Sequence, residues 1–413
     1  MMKKMIGTKV ICLAVIAGMM LSACVGMTPA ANDSSVDQKV ADTTTATSGN
    51  ASGQEQPLQD IHSNDGREIV GISMPSHLLE RWSRDGKHLK RQFKKAGYEV
   101  ELKYADDLID AQIHDIEDMI ADGADLLLIS PIDASSLVRV LEQAHEVNIP
   151  VIAYDRLIRK TSAVDYYISF DNYMVGALQG GYIEEALDLP HAKEGAYNIE
   201  FTSGDSADNN ARYFYNGMFD LLEPYIEAGI LQVPSGQMSY FETAISSWST
   251  DLAEERFSGL LNSYYLGGKR LDCAACANDS TALGVTRAIT SDYHKKNTVV
   301  VTGQDADQPN LKNIIDGKQS MTVYKALSNE AVIALALGKA IMEGQDPKEE
   351  LIEASDWDFD CVYDTESYDN GKIVVPSYLL EPIVITKDNI QTELIDTGYY
   401  VIGEDGYPVA ATK

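Results

Sequence analysis

Positive charge is what this sequence has least of. Its 33 Lys and Arg face 63 Asp and Glu, for a formal net charge of −30. Nucleic-acid phosphates would be repelled by such a chain, so nucleic acid is excluded as a partner. Cysteine is scarce too, with 5 in 413 residues. Cys273 and Cys276 form a C-x-x-C, but it sits in Leu271–Ala277, which reads as a buried strand. Residues three apart on a strand point to opposite faces, which suits neither shared metal ligation nor a disulfide. Both read as small buried residues, and Cys361 is left unassigned. Past the first residues, no apolar stretch is long enough to span a bilayer. No metal site or cofactor is implied.

What is present begins with Lys3 and Lys4, an apolar run from Val10 to Leu21, and then Leu21-Ser22-Ala23-Cys24. A charged start, a short apolar segment and small residues before a cut describe a secretory signal over 1–23, too short to be a spanning helix. A Cys directly after Leu-Ser-Ala resembles the lipobox of bacterial lipoproteins. That resemblance implies that Cys24 is acylated and becomes the new N-terminus, while Cys12 leaves with the signal. From Thr28 to about Asp65 the chain is Ala, Ser, Thr, Asp, Asn, Gly and Gln with almost no large apolar residue. Such a segment cannot bury enough surface to offset its ordering entropy, so 24–66 is expected to be a lipidated Cys and a flexible tether. The folded part would then sit outside the cytoplasm, held near a membrane surface.

The roughly 350 residues that follow exceed what one core usually serves, which favours two lobes. Strand-like and helix-like segments take turns. Glu68–Met74 is apolar, and Glu80–Ala96 places Trp82, Leu89 and Phe93 on one helical face. Ile109, Ile113, Ile116 and Ile120 recur at helical spacing, and Leu126-Leu127-Leu128-Ile129 is apolar on both faces, as a parallel strand requires. Further strands fit Pro150–Tyr154, Tyr166–Phe170, Tyr197–Thr202, Leu271–Ala277, Thr298–Thr302 and Met321–Tyr324. This alternation predicts an α/β fold of two mostly parallel sheets flanked by helices, divided near Asp171.

In open parallel sheets, ligands bind beyond the carboxyl ends of the strands. Arg81-Trp82, Asp155-Arg156, Asp171-Asn172, Asp208-Asn209-Asn210, Asn278-Asp279, Asp305 and Lys325 all fall there. Carboxylates, amides and guanidinium forks suit a ligand with many hydroxyls, each able to donate and accept. A pyranose also has an apolar C–H face that needs an aromatic platform, for which Trp82 and Trp248 are the candidates. Asp171, Asp208 and Asp279 fit either a helix cap or a ligand contact, and one residue can do both. Arg81, Arg156 and Lys325 are not explained by capping.

Glu80-Arg81-Trp82, Ala153-Tyr154-Asp155-Arg156, Tyr167-Ile168-Ser169-Phe170-Asp171-Asn172, Asp208-Asn209-Asn210-Ala211, Gly303-Gln304-Asp305-Ala306 and Thr322-Val323-Tyr324-Lys325 together resemble the periplasmic aldose-binding proteins, over about Ile69 to Tyr400. The resemblance implies a two-lobed type I periplasmic-binding-protein fold with three hinge crossings and a pyranose in the cleft. It implies lobes of 67–171 plus 326–356 and of 172–325 plus 357–413. It also implies that Arg81, Asp155, Arg156, Asn210, Asn278, Asp305 and Lys325 bond sugar hydroxyls, with Trp82 and Trp248 about the ring. Asp171, Asn172, Asn209 and Asp279 carry over less directly. Ala277-Asn278-Asp279 looks like the xylose type, whereas Val375–Leu380 and Thr386–Asn389 look like the multiple-sugar type.

The function implied is a monomeric receptor that passes a monosaccharide to the permease of an ABC-type importer, or presents its closed form to a chemoreceptor or histidine kinase. A glycosidase would need a raised-pKa acid opposite a second carboxylate across the bond, and no such pairing is evident. A repressor with this architecture would begin with a helix-turn-helix, which a signal and tether replace.

Overall fold

The computed structural model describes Gly66 and residues 68–411. The expected signal, the Cys24 acylation site and the tether apart from Gly66 lie outside the described residues.

The first lobe is laid down by β1 (Ile69–Met74), α1 (Glu80–Ala96), β2 (Glu99–Tyr104), α2 (Ile109–Ala121), β3 (Leu126–Ile129), α3 (Val138–Glu146), β4 (Val151–Tyr154) and β5 (Tyr166–Phe170). β3 is buried at every position, as its unbroken apolar run requires. The chain then builds the second lobe from α4 (Asn172–Ala186), β6 (Tyr197–Thr202), α5 (Asn209–Glu227), β7 (Leu231–Gln232), α6 (Tyr240–Thr243), α7 (Thr250–Tyr264), β8 (Cys273–Cys276), α8 (Asp279–Asp292), β9 (Val300–Val301), α9 (Gln308–Ile315) and β10 (Met321–Tyr324). It returns to the first lobe with α10 (Leu327–Met342), α11 (Glu349–Glu353), β11 (Cys361–Asp364) and β12 (Ser377–Leu380). It ends in the second with β13 (Ile383–Thr386), β14 (Tyr400–Ile402) and β15 (Pro408–Ala410). The chain thus passes between lobes near Asp171, Lys325 and Glu381.

The first sheet has the order β11-β12-β5-β4-β3-β1-β2 and is parallel except where β11 runs against β12. The second has the order β7-β6-β8-β9, all parallel. Residues 361–380 correct the expected boundary, which gave everything from 357 to the second lobe. Ser377–Leu380 pairs in parallel with Tyr167–Phe170, so this stretch completes the first sheet.

Trp82, Leu89 and Phe93 do share the buried face of α1, packed on one side of the first sheet. Cys273 and Cys276 are free and fully buried on opposite faces of β8, one in each of two separate cores. Among the described residues, no helix is long and apolar enough to cross a membrane.

Candidate functional site

The carboxyl ends of both sheets face a common gap, and the side chains there come from short loops pinned by backbone bonds. Asp155 follows β4 with φ +59°, Trp248 has φ +54°, and Asp305 has φ +100°. Left-handed backbone at a non-glycine residue costs about 1–3 kcal/mol and persists only where its surroundings hold it. For Asp155 the restraint is visible. Its carbonyl accepts hydrogen bonds from the Tyr167 hydroxyl at 2.8 Å, the Ser169 hydroxyl at 2.9 Å and the Asn210 amide at 2.6 Å. Asp305 is held by its own N–H donating to Val323 at 2.8 Å.

From opposite lobes, Arg81 reaches Asp155 at 2.8 Å and Asp305 at 3.4 Å. Lys325, at the end of β10, lies 3.3 Å from Asp155 and 3.5 Å from Asp305. Arg156 pairs across the gap with Asp208 at 2.8 Å. Burial alone would raise the Asp155 carboxyl, but Arg81, Lys325 and Arg156 outweigh it and hold the group well below the usual carboxylate range. The Trp82 indole carries two cations, with the Arg81 guanidinium 4.1 Å and that of Arg156 5.0 Å from its ring centre.

These groups bound one cavity between the carboxyl ends of the two sheets. Of the residues expected from sequence, Arg81, Trp82, Asp155, Arg156, Asn210, Trp248, Asn278, Asp305 and Lys325 line it. Asn278 also caps α8, accepting from the Thr281 N–H at 3.0 Å. Asp208 likewise does both, lining the cavity while accepting from the Asn210 N–H at 2.9 Å.

The structure does not bring four expected residues to the cavity. Asp171 caps α4 through the Met174 N–H at 2.9 Å and faces a separate hollow with Tyr173 and Tyr368. Asn209 lies on the outer rim beside Arg159 and Arg212. Asp279 is buried beneath the site, accepting from Gln319 at 2.9 Å, the Asp307 N–H at 2.9 Å and Thr322 at 3.1 Å. Burial, with Asp307 and Asp305 close by, pushes its carboxyl well up. Asn172 is buried behind Asp155, donating to the Tyr167 hydroxyl at 3.1 Å.

Sequence reasoning missed Leu79, Phe214, Ser280 and Gln304 in the lining. Phe214 was accessible, because it lies four residues beyond Asn210 and so on the same face of α5. Arg84, one turn along α1 from Arg81, was also missed. It donates to the Asp305 carbonyl at 3.2 Å and adds another contact between lobes.

A family model described as the periplasmic binding protein domain matches residues 70–346, and the chain belongs to that family. It is 40% identical over 337 residues to the multiple sugar-binding periplasmic protein SbpA of Azospirillum brasilense, covering 81% of this chain and 90% of the relative. It is 30% identical over 331 residues to the D-xylose-binding periplasmic protein of Escherichia coli K12, covering 80% and 90%. A solved ABC transporter solute binding protein from Clostridium phytofermentans, with bound β-D-glucose, superposes with a TM-score of 0.76 at 46% identity. That match covers 82% of this chain and 99% of the other. The two-lobed fold of parallel sheets flanked by helices is that of this family.

Proposed function

We propose that this protein is the extracytoplasmic receptor of an ABC-type sugar importer, closing on one aldopyranose in the cavity between its lobes. The observation that carries the reading is a set of polar atoms without partners. Arg81 Nε, Trp248 Nε1 and Gln304 Oε1 are buried, make no hydrogen bond, and belong to residues that line the cavity. Leaving such atoms unpaired costs about 1–3 kcal/mol each, a cost that ligand hydroxyls would remove. In this reading Arg81, Asp155, Arg156, Asn210, Asn278, Asp305 and Lys325 bond hydroxyls, and Trp82 and Trp248 take the apolar faces of the ring.

The named ligands of the relatives are sugars. Ligand that bonds both lobes only when they meet shifts the population to the closed form, which a membrane permease then recognises. The same form could be read by a histidine kinase or chemoreceptor; similarity to a transporter component favours import. Acylation of Cys24 would keep the receptor at the membrane.

A thermal-shift panel of xylose, glucose, galactose, arabinose and ribose tests the function. An aldose at a hundredfold its Kd stabilises the native state by about 2.7 kcal/mol, so at least one should raise the melting temperature. A flat panel would remove the sugar assignment.

Gly204 supplies a narrower test. A Cβ there would overlap the Trp248 indole, so Gly204→Ala should push that ring into the cavity. Overpacking typically costs about 1–3 kcal/mol, and here it should appear as roughly tenfold weaker binding by titration calorimetry. Unaltered affinity would show that Trp248 does not contact the ligand.

A further inference from the structure

Behind Arg81 the first lobe buries two carboxyl groups that the cavity does not use. Asp85 lies one turn along α1, 3.8 Å from the Arg81 guanidinium, and its other oxygen accepts from the Tyr154 hydroxyl at 2.7 Å. Glu330 lies in the first turn of α10, five residues after Lys325. It is fully buried, and neither of its carboxyl oxygens has a hydrogen-bond partner.

The charges around them do not balance. Asp85, Asp155, Asp305 and Glu330 are carboxyl groups whose ion-pair partners are Arg81 and Lys325, while Arg84 acts on Asp85 and Arg156 on Asp155 from further off. Arg156 is engaged by Asp208. Arg84 is engaged by Glu80, Asp307 and the Asp305 carbonyl. With every carboxyl ionised, the buried cluster would carry excess negative charge, which a dry interior does not tolerate. The titratable and charged groups facing the pair are Arg81 and Arg84 from α1, Tyr104 from β2, Tyr154 and Asp155 at β4, and Lys325 at the β10–α10 junction.

We propose that Asp85 and Glu330 are positioning residues for Arg81, and that this pair takes up a proton when the lobes close on sugar. A neutral pair leaves the guanidinium to Asp155, Asp305 and the ligand. An ionised pair competes for it and draws it back along α1. Closure favours the neutral form because it expels water and brings Asp305 to Arg81. Burial pushes Asp85 up to about 7 against the pull of Arg81 and Tyr154. Burial, reinforced by Asp155 and Asp85, pushes Glu330 well above the usual carboxylate range. The inference rests on Arg81 belonging to the sugar site.

Calorimetric titration of the full chain with D-glucose, from about pH 6 to about pH 9 in buffers of differing ionisation enthalpy, tests it. Affinity should fall by up to about tenfold as pH rises, with heats that depend on the buffer in the sense of proton uptake. Glu330→Gln, which mimics the neutral acid, should remove most of that slope, and Asp85→Asn should lessen it. Stability gives a second readout. A carboxyl raised in the folded state loses its proton first in the unfolded chain, so ionisation erodes stability as pH rises towards the folded value. Glu330→Gln should therefore melt higher than wild type at about pH 8. Buffer-independent heats in wild type, or an unchanged slope in both variants, would overturn the proposal. A wild type that binds neither glucose nor any other aldose at any pH would overturn the underlying site assignment instead.

Discussion

Arg81→Ala is expected to weaken sugar binding by more than about 100-fold. The side chain holds Asp155 at 2.8 Å and Asp305 at 3.4 Å, one from each lobe. All three groups are at least nine-tenths buried. Removing one partner of a buried ion pair typically costs about 3–5 kcal/mol because the remaining charge is left uncompensated. Here two carboxylates would be left to share Lys325, and closing the lobes would force them together. At about 1.4 kcal/mol per decade, the loss amounts to two orders of magnitude or more in affinity. Arg81→Lys should recover only part, since a compact ammonium lacks the planar, pre-organised fork of donors that a guanidinium presents. Calorimetry on both variants measures this, and affinity within a few-fold of wild type for Arg81→Ala would refute it.

The second large effect is on Trp82, which joins the core to the cavity. It is 1% exposed and packs with Leu89, Phe93 and Tyr154 in the first lobe. Its ring also supports both Arg81 and Arg156. Trp82→Ala is expected to cost about 3–5 kcal/mol of stability through cavity formation. It should also abolish measurable binding, because both guanidinium groups lose the surface that orients them. Trp82→Phe should retain the fold and a fraction of the affinity. Thermal denaturation and calorimetry separate the two effects, and full affinity in the folded Phe variant would show that the indole is packing only.

The parts of this arrangement that were legible in the sequence are those with a local signature. Leu126–Ile129 announces a parallel strand by its unbroken apolar run, and Asp155-Arg156 and Asp305 announce themselves by following such strands. Capping and ligand contact were not separable for Asp171, Asp208 and Asp279, which are the same kind of residue at the same kind of junction, and at the last of these it is Asn278 rather than Asp279 that caps the helix. Only the direction of the loop decides, and it turns Asp171 away while leaving Asp208 and Asn278 facing the cavity.

The lobe assignment of 361–380 depended on pairing between Ser377–Leu380 and Tyr167–Phe170, about two hundred residues apart, which leaves no local trace. Asp85 and Glu330 were invisible for a related reason. A charged residue in a helix normally faces solvent, and nothing in the neighbouring sequence says that these two are buried.

A crystal structure with D-glucose or D-xylose bound tests the central claim most directly. The account predicts one pyranose in the gap between lobes, hydroxyls within hydrogen-bond reach of Arg81, Arg156 and Asp305, and ring faces towards Trp82 and Trp248. Sugar bound elsewhere, in the hollow beside Asp171 for example, or contacting one lobe alone, would contradict it.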